Sequence, residues 1–349
     1  MGATIKFERG LLTTDLAQVP IEAAANERMG LHGTFTFDGA HDPFLPIVLA
    51  AQDTSTIRLS TQIAVAFARN PMTVAQSAQD LQRITGGRFA LGLGTQIKPH
   101  ITRRFSMPWS QPVARMREFV MAVRAIWATW ETAEPLDFRG EFYQHTLMSP
   151  FFVPGASPHR SPPILLAAVG PSMVRAAGAV ADGLIVHPFH TSSYLTEVTW
   201  PRLDEGLAEQ QRDRASFEVV AQSIVAIGRD EDEIARSRRS AAAQIGFYAS
   251  TPAYRPVLEH HGMGSLQPQM RALTRAGAWS ELAAQVPGEL LDLIVTSGTP
   301  QDVGAALVAR NVNVATTALV LYGDDALLGA LLEAGHAAPR ESASLDQVP

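Results

Sequence analysis

Residues 162–187, PPILLAAVGPSMVRAAGAVADGLIVH, decide how the chain is read. Ile164 to Ala168 is a short apolar run entered by two prolines, long enough for a buried parallel strand and too short for an ordinary helix. Gly170 stops the run, and Pro171 suits a first helical position. Met173, Ala176, Ala177 and Val180 then recur at helical spacing until Gly183 ends the turn, and Leu184 to His187 form the next strand. Strand, glycine turn, helix and strand make a compact βαβ unit, for which a right-handed crossover is expected. The turn Ala168-Val169-Gly170-Pro171-Ser172 points backbone N–H groups and a helix N-terminus outward, where geometry and dipole both favour a phosphate. An ordinary βα loop has the same local sequence, so the turn alone leaves both readings open.

The alternation continues on both sides. Residues 3–9 read as a first strand, although Lys6 and Glu8 alternate with Ile5 and Phe7 more than in most buried parallel strands. Residues 15–29 read as a helix closed by Gly30, 31–37 as a second strand ending in Asp38-Gly39, and a helix follows Asp42-Pro43. Residues 57–67 form the third strand, and Asn70-Pro71 starts a helix with Val74, Ala78 and Leu81 on one face, ended by Gly86-Gly87. Residues 88–95 form the fourth strand, and Pro112 opens a long helix whose stripe runs from Met116 through Phe119 and Val123 to Trp130.

Residues 131–161 break this rhythm with prolines, glycines and the aromatics Phe138, Phe142, Tyr143, Phe151 and Phe152, and read as an insertion with a short hairpin. Beyond the opening stretch come a helix over 192–210, a seventh strand over 217–227 and a helix over 230–248. A second irregular region over 249–298, with two short helices, precedes a helix to Arg310, an eighth strand over 316–322 and a last helix over 324–334. Eight βα units with insertions predict an α/β fold, a closed (β/α)8 TIM barrel forming one domain over 1–335, with a loose tail over 336–349.

Composition narrows the function. Hydrophobic content of 46% with 18% charged residues is that of a globular chain with a large core. The net charge of −6, without a dense basic run interleaved with aromatics, argues against nucleic acid or an anionic membrane as partner. The absence of cysteine excludes disulfides, thiolate nucleophiles and Cys-ligated zinc. No basic segment leads into an apolar one at the N-terminus, and no apolar run approaches roughly 18 residues, so a cytoplasmic protein is expected.

In such a barrel the chemistry lies at the C-terminal ends of the strands. Those ends are Asp38, the segment from Gln62 to Ala66, Gly94-Thr95-Gln96, Val169-Gly170 and His187. Gly92-Leu-Gly94 is no dinucleotide fingerprint, because the third glycine and the following helix are missing. His187-Pro-Phe-His190 has too few neighbouring ligands for a metal and reads as a core or pocket pair, so no metal is expected. His260-His261 reads as a solvated pair, and no G-x-S-x-G elbow offers a hydrolase nucleophile. Lys98, Arg103 and Arg104 form a cationic cluster, either a solvated loop or, at a barrel mouth, a contact for an acidic ligand.

Arg69-Asn-Pro71, Gly87 to Gly94, Pro163 to Pro171, Ala177-Gly178 and Ala181-Asp182-Gly183, in that order, resemble the luciferase-like flavin and deazaflavin oxidoreductase superfamily. Within it the chain is most similar to actinobacterial oxidoreductases that use coenzyme F420. The resemblance covers residues 3–334 and implies a small-molecule substrate, a deazaflavin or FMN at the strand C-termini, and hydride chemistry at the ring. It places the cofactor phosphate on Ala168, Val169 and Gly170, and Thr95 and Gln96 beside the cofactor. It also implies a non-proline cis peptide in a bulge matching Gln62, Ile63 and Ala64. Relatives carry an Asp-His pair after the second strand where this chain reads Asp38-Gly-Ala-His41. His41 is then the expected proton carrier, with Asp38 orienting it or contacting the ring. The aromatics of the two insertions would wall the substrate side. Three readings follow: an F420-dependent oxidoreductase, an FMN-dependent monooxygenase, and a cofactor-binding protein without turnover; a homodimer or larger homo-oligomer is expected.

Overall fold

In the computed structural model, which describes residues 5–155, 157–311 and 313–339, the odd alternation of the first strand has a simple cause. Phe7 faces outward onto the last helix, its ring 5.4 Å from that of His336, while Glu8 faces inward and is buried. Polar residues of β1 (Lys6–Gly10) line part of the barrel interior, and apolar ones hold the helical layer.

Seven further strands complete the barrel: β2 (Gly33–Thr36), β3 (Arg58–Thr61), β4 (Phe89–Gly94), β5 (Ile164–Ala168), β6 (Gly183–Val186), β7 (Glu218–Ile227) and β8 (Thr316–Tyr322). Each pairs in parallel with the next, and β8 closes onto β1 with Thr316 opposite Lys6. The surrounding helices are α1 (Val19–Arg28), α2 (Phe44–Gln52), α3 (Pro71–Ile84), α4 (Pro112–Thr132), α5 (Pro171–Val180), α6 (Trp200–Ala208), α7 (Glu231–Ala249), α8 (Pro300–Arg310) and α9 (Leu328–Ala337). The α3 start is as the sequence predicts: Asn70 accepts from Thr73 N–H and Pro71 occupies the first turn. Leu59 and Leu91 are fully buried in the main core, where truncation of either to alanine costs about 2–5 kcal/mol.

Inside the barrel, Phe35, Ala90, Leu165, Ile185, Val220 and Ala318 form one cluster. The inward face of β7 continues upward from Val220 to Ile224 and Ala226, and these two join a second core with Phe189, Ala241, Ile245, Val257 and Leu290. Val320 and Tyr322 extend β8 into the same core. The 249–298 region therefore covers the C-terminal mouth beside β6, β7 and β8.

Several expectations are corrected. The third strand stops at Thr61 instead of running to 67; the non-proline cis peptide that the resemblance implies is present at Gln62–Ile63, and Ala64–Val65 then pairs with Leu93 and Gly94 before a single turn over Ala66–Ala68. The helix predicted over 192–210 is one turn at Ser192–Tyr194 and a wide turn at Leu195–Thr199 ahead of α6, because Pro201 has no N–H to continue the regular ladder. The 249–298 region holds four short helices, Arg255–His260, Leu266–Ala276, Trp279–Leu282 and Gly288–Ile294, and a strand, Thr296–Gly298, on the edge of β7. The first insertion forms the expected hairpin, Phe138–Arg139 against Gln144–His145. Its aromatics do not wall the mouth: Tyr143 packs edge-on against Phe119 of α4, and Phe151 is 89% exposed. The last helix runs to Ala337, beyond the expected boundary, and 340–349 of the predicted tail lie outside the described residues.

Candidate active site

The bulge after β3 is tied to the end of β2 by backbone and side chain together. Gln62 N donates to Thr36 O at 2.6 Å and Asp38 N to Ile63 O at 3.0 Å. The Asp38 carboxylate accepts from Val65 N at 2.6 Å and from Arg69 Nη1 at 2.7 Å through Oδ2, and from Arg69 Nη2 at 3.2 Å through Oδ1. Arg69 Nη2 also donates to Asp42 Oδ2 at 2.7 Å. A two-pronged guanidinium–carboxylate contact of this kind fixes orientation as well as adding energy. Asp38 is thus engaged by Val65 and Arg69 rather than by His41, the partner that the resemblance implies for it. The His41 ring turns toward the loop after β1, where Nε2 donates to Thr14 O at 2.9 Å. A carbonyl only accepts, so the proton of neutral His41 sits on Nε2 and Nδ1 is left as an acceptor.

Beneath the bulge, Gln62 Nε2 donates to Glu8 Oε2 at 2.6 Å, and Gln222 Nε2 approaches Gln62 Oε1 at 3.4 Å. Glu8 Oε1 lies 3.6 Å from Arg58 Nη1, too far for a hydrogen bond, while Arg58 is held by both oxygens of Glu218. Burial pushes the Glu8 carboxyl above the usual carboxylate range, with the Arg58 charge pulling the other way. Glu8 was not among the sequence candidates; its only signal was a charge in a strand flanked by apolar residues.

On the β4 side, Gln96 adopts φ 58°, in the left-handed region that glycine enters most easily, and its Oε1 accepts from Ile97 N at 3.0 Å. Thr95 Oγ1 donates to Gln96 O at 2.9 Å. Within the following loop Arg104 donates to Gly39 O at 2.9 Å, joining it to the Asp38 loop. Lys98 and Arg103 are exposed, with no ion-pair partner among the described residues.

After β5, Gly170 caps α5 by its backbone, and no side chain fills the first turn. A Cβ at Gly170 would meet nothing within 4 Å, and its φ of −81° is open to any residue. Pro171 has no N–H, and the N–H groups of Met173 and Val174 are bonded to Gly170 O, so the Gly170 and Ser172 N–H groups are the donors left at this end, with clear space in front of Gly170.

His187 continues the inward face of Ile185 into the mouth and is packed between Tyr254, stacked at 4.4 Å, and Tyr248, edge-on at 4.6 Å. Its Nδ1 accepts from Phe189 N at 3.1 Å, so Nε2 carries the proton and donates to Tyr254 Oη at 3.0 Å. Burial, with His190 nearby, lowers its pKa to about 3, so the ring is neutral at physiological pH. His190 donates through Nδ1 to His187 O at 2.8 Å and is lowered to about 4, chiefly by burial. The expectation of a pocket pair is met here. His260 and His261 are not a solvated pair: they bond Ser193 Oγ and Thr191 Oγ1 at 3.2 and 2.8 Å, pinning the loop after β6 to the second insertion. Tyr254 had no sequence signal, since its place depends on how 249–298 folds back, and nothing local marks Tyr248, near the end of α7, as its neighbour at His187.

Among the described residues no group of three or more His, Asp or Glu side chains could hold a metal ion, and no helix is long and apolar enough to cross a membrane. A sequence model of the luciferase-like monooxygenase family matches residues 5–317. The chain belongs to that family. A Mycobacterium tuberculosis protein of uncharacterised function is 46% identical over 313 residues, covering 90% of this chain and 92% of the relative. A putative coenzyme F420-dependent oxidoreductase of the same organism is 29% identical, covering 79% of this chain and 82% of its own. Among solved structures, the coenzyme F420-dependent tetrahydromethanopterin reductase of Methanopyrus kandleri superposes with a TM-score of 0.77 at 21% identity, over 96% of this chain and 98% of its own. This likeness establishes the luciferase-like barrel fold, and membership of the family makes the chain an oxidoreductase.

Proposed function

We propose that the chain is an F420-dependent oxidoreductase acting on a small organic substrate. The observation that carries the reading is the pairing of an open helix end at Gly170 with an exposed cationic loop at Lys98 and Arg103, both at strand C-termini. A phosphate suits the first, and an acidic tail suits the second. Ala168, Val169 and Gly170 would take the phosphate, Asp38, Gln62, Ile63 and Ala64 would form the floor under the ring, and Thr95 and Gln96 one side. Bound there, a deazaflavin supplies hydride exchange at C5.

The chain's own part is to orient the substrate, exclude water and move a proton. The second insertion, through Tyr254 packed with Tyr248 of α7 and Tyr322 of β8, closes the mouth over β6 to β8. His41 is our proton carrier: it stands at the rim with Nδ1 uncommitted, whereas both nitrogens of His187 are engaged and its ring stays neutral. Asp38 serves the site by holding the bulge through Arg69. An FMN-dependent reaction is the second reading, favoured by the α5 end, which suits the FMN phosphate equally well, but it gives the cationic loop no work. Mass spectrometry of cofactor retained by protein purified from an F420-producing host tests the reading: F420 supports it, and FMN overturns it. In His41→Ala, once a substrate is found, single-turnover rates are expected to fall 10²–10⁴-fold with cofactor affinity little changed.

A further inference from the structure

Beside the C-terminal end of β7, a cleft of about 520 Å³ lies between α7, the helix Gly288–Ile294, the strand Thr296–Gly298 and α8. Its polar lining is Arg238, Asp292, Thr296, Ser297 and Arg310. Arg238 donates to Ser297 Oγ through Nη1 and to Asp292 Oδ1 through Nη2, each at 2.6 Å. Arg310 donates to Thr296 Oγ1 at 3.4 Å and to Leu293 O, where it caps the end of the Gly288–Ile294 helix. Both hydroxyls thus accept from a guanidinium, which leaves their own protons to be donated.

Capping uses only part of Arg310. Two of its five N–H donors are committed, and no carboxylate among the described residues lies within 4.0 Å of it. Burial draws its pKa down to about 10, still protonated at neutral pH and without a counter-ion. The only carboxylate in the lining, Asp292, is taken by Arg238. What the cleft offers a ligand is therefore two guanidinium groups and two hydroxyl donors, converging from a helix, a strand and a second helix. A planar carboxylate uses one fork; a tetrahedral oxyanion can use donors from all three elements.

We propose that this cleft is a phosphate-binding site, distinct from the α5 turn at Gly170, which takes a phosphoryl group of a small metabolite or free inorganic phosphate. The proposal does not depend on the reading of the mouth. Calorimetric titration of inorganic phosphate into the full-length protein and its Gly170→Phe, Ser297→Ala and Arg310→Gln variants tests it, with melting temperatures measured alongside. Saturable binding is expected to survive Gly170→Phe, to weaken several-fold in Ser297→Ala, and to weaken roughly 10- to 100-fold in Arg310→Gln. Ser297→Ala removes one hydroxyl and no capping bond, so it reports on the site even if Arg310→Gln lowers stability. Acetate should bind at least tenfold more weakly than phosphate, and glycerol 3-phosphate against inorganic phosphate separates an esterified from a free ligand. Binding abolished by Gly170→Phe, binding unaffected by both Ser297→Ala and Arg310→Gln, or acetate binding as tightly as phosphate would each overturn the proposal.

Discussion

Asp38→Asn separates a positioning carboxylate from one that handles protons. The Asp38 side chain is 6% exposed and that of Arg69 15%, so their two-pronged contact is largely shielded from solvent. Asparagine keeps one oxygen for Val65 N but places an amide against a guanidinium, losing at least one charge-assisted bond worth about 1.5–3 kcal/mol. Arg69 retains Asp42, which is 42% exposed, so the full penalty of an orphaned buried charge does not apply. We expect a loss of about 2–3 kcal/mol, which in a chain of 349 residues lowers the melting temperature by roughly 3–4 °C. Cofactor affinity should fall as well, because the bulge beneath the ring loosens. Urea denaturation and thermal melts of Asp38→Asn, Arg69→Gln and the double variant give the coupling energy, expected at about 1–3 kcal/mol. Additive effects, or an Asn variant of unchanged stability that is slow only in turnover, would refute the positioning role.

Gly170→Phe should fold normally, since a Cβ there meets nothing within 4 Å, yet weaken F420 at least tenfold by occupying the space before the α5 end; fluorescence titration checks this. Arg103→Ala combined with Arg104→Ala should weaken F420 binding more at low than at high salt, and a salt-independent effect would return the loop to solvent. Stability should fall with acid. His187 and His190 have folded pKa values of about 3 and 4, below the unfolded value of 6.5, so their contribution is present above pH 6.5 and is lost as pH falls toward those values. The slope is about 1.4 kcal/mol per pH unit for each ring, and His32, also lowered to about 4, adds to it; read from denaturation midpoints between pH 7 and 5, it should fall by about a third or less in His187→Gln. Glu8→Gln should be neutral or stabilising at pH 7: its carboxyl pKa is raised by burial, so folding favours the protonated form and stability declines as pH rises through that pKa.

The barrel was legible because its strands are bounded by turn signals and helices such as α3, α4 and α5 carry their own stripes. The βαβ unit around Gly170 and the cap at Asn70 depend on neighbours in sequence, and both formed as read. The errors lie where distant residues decide. Asp38 looked like a partner for His41, three residues on, but Arg69 lies on its other side in space and is the stronger match. The helices of 249–298 are short, and their apolar faces, such as Leu266, Met270 and Leu273, meet a core shared with Ile224, Ala226 and Tyr322 on distant strands. Aromatics in an insertion resemble a pocket lining, yet Phe151 and Phe152 are exposed, because nothing local says which way a loop folds. Glu8 was visible as an anomaly, and only the closure of the barrel made it a support for Gln62.

The central claim, that this barrel holds F420 with its phosphate on the α5 turn and its acidic tail on the cationic loop, is tested most directly by titrating F420 into the purified protein and following its fluorescence. Saturable, one-to-one binding that weakens as salt is raised and drops in Gly170→Phe is the predicted result. No saturable change with F420, alongside stoichiometric binding of FMN, would contradict it.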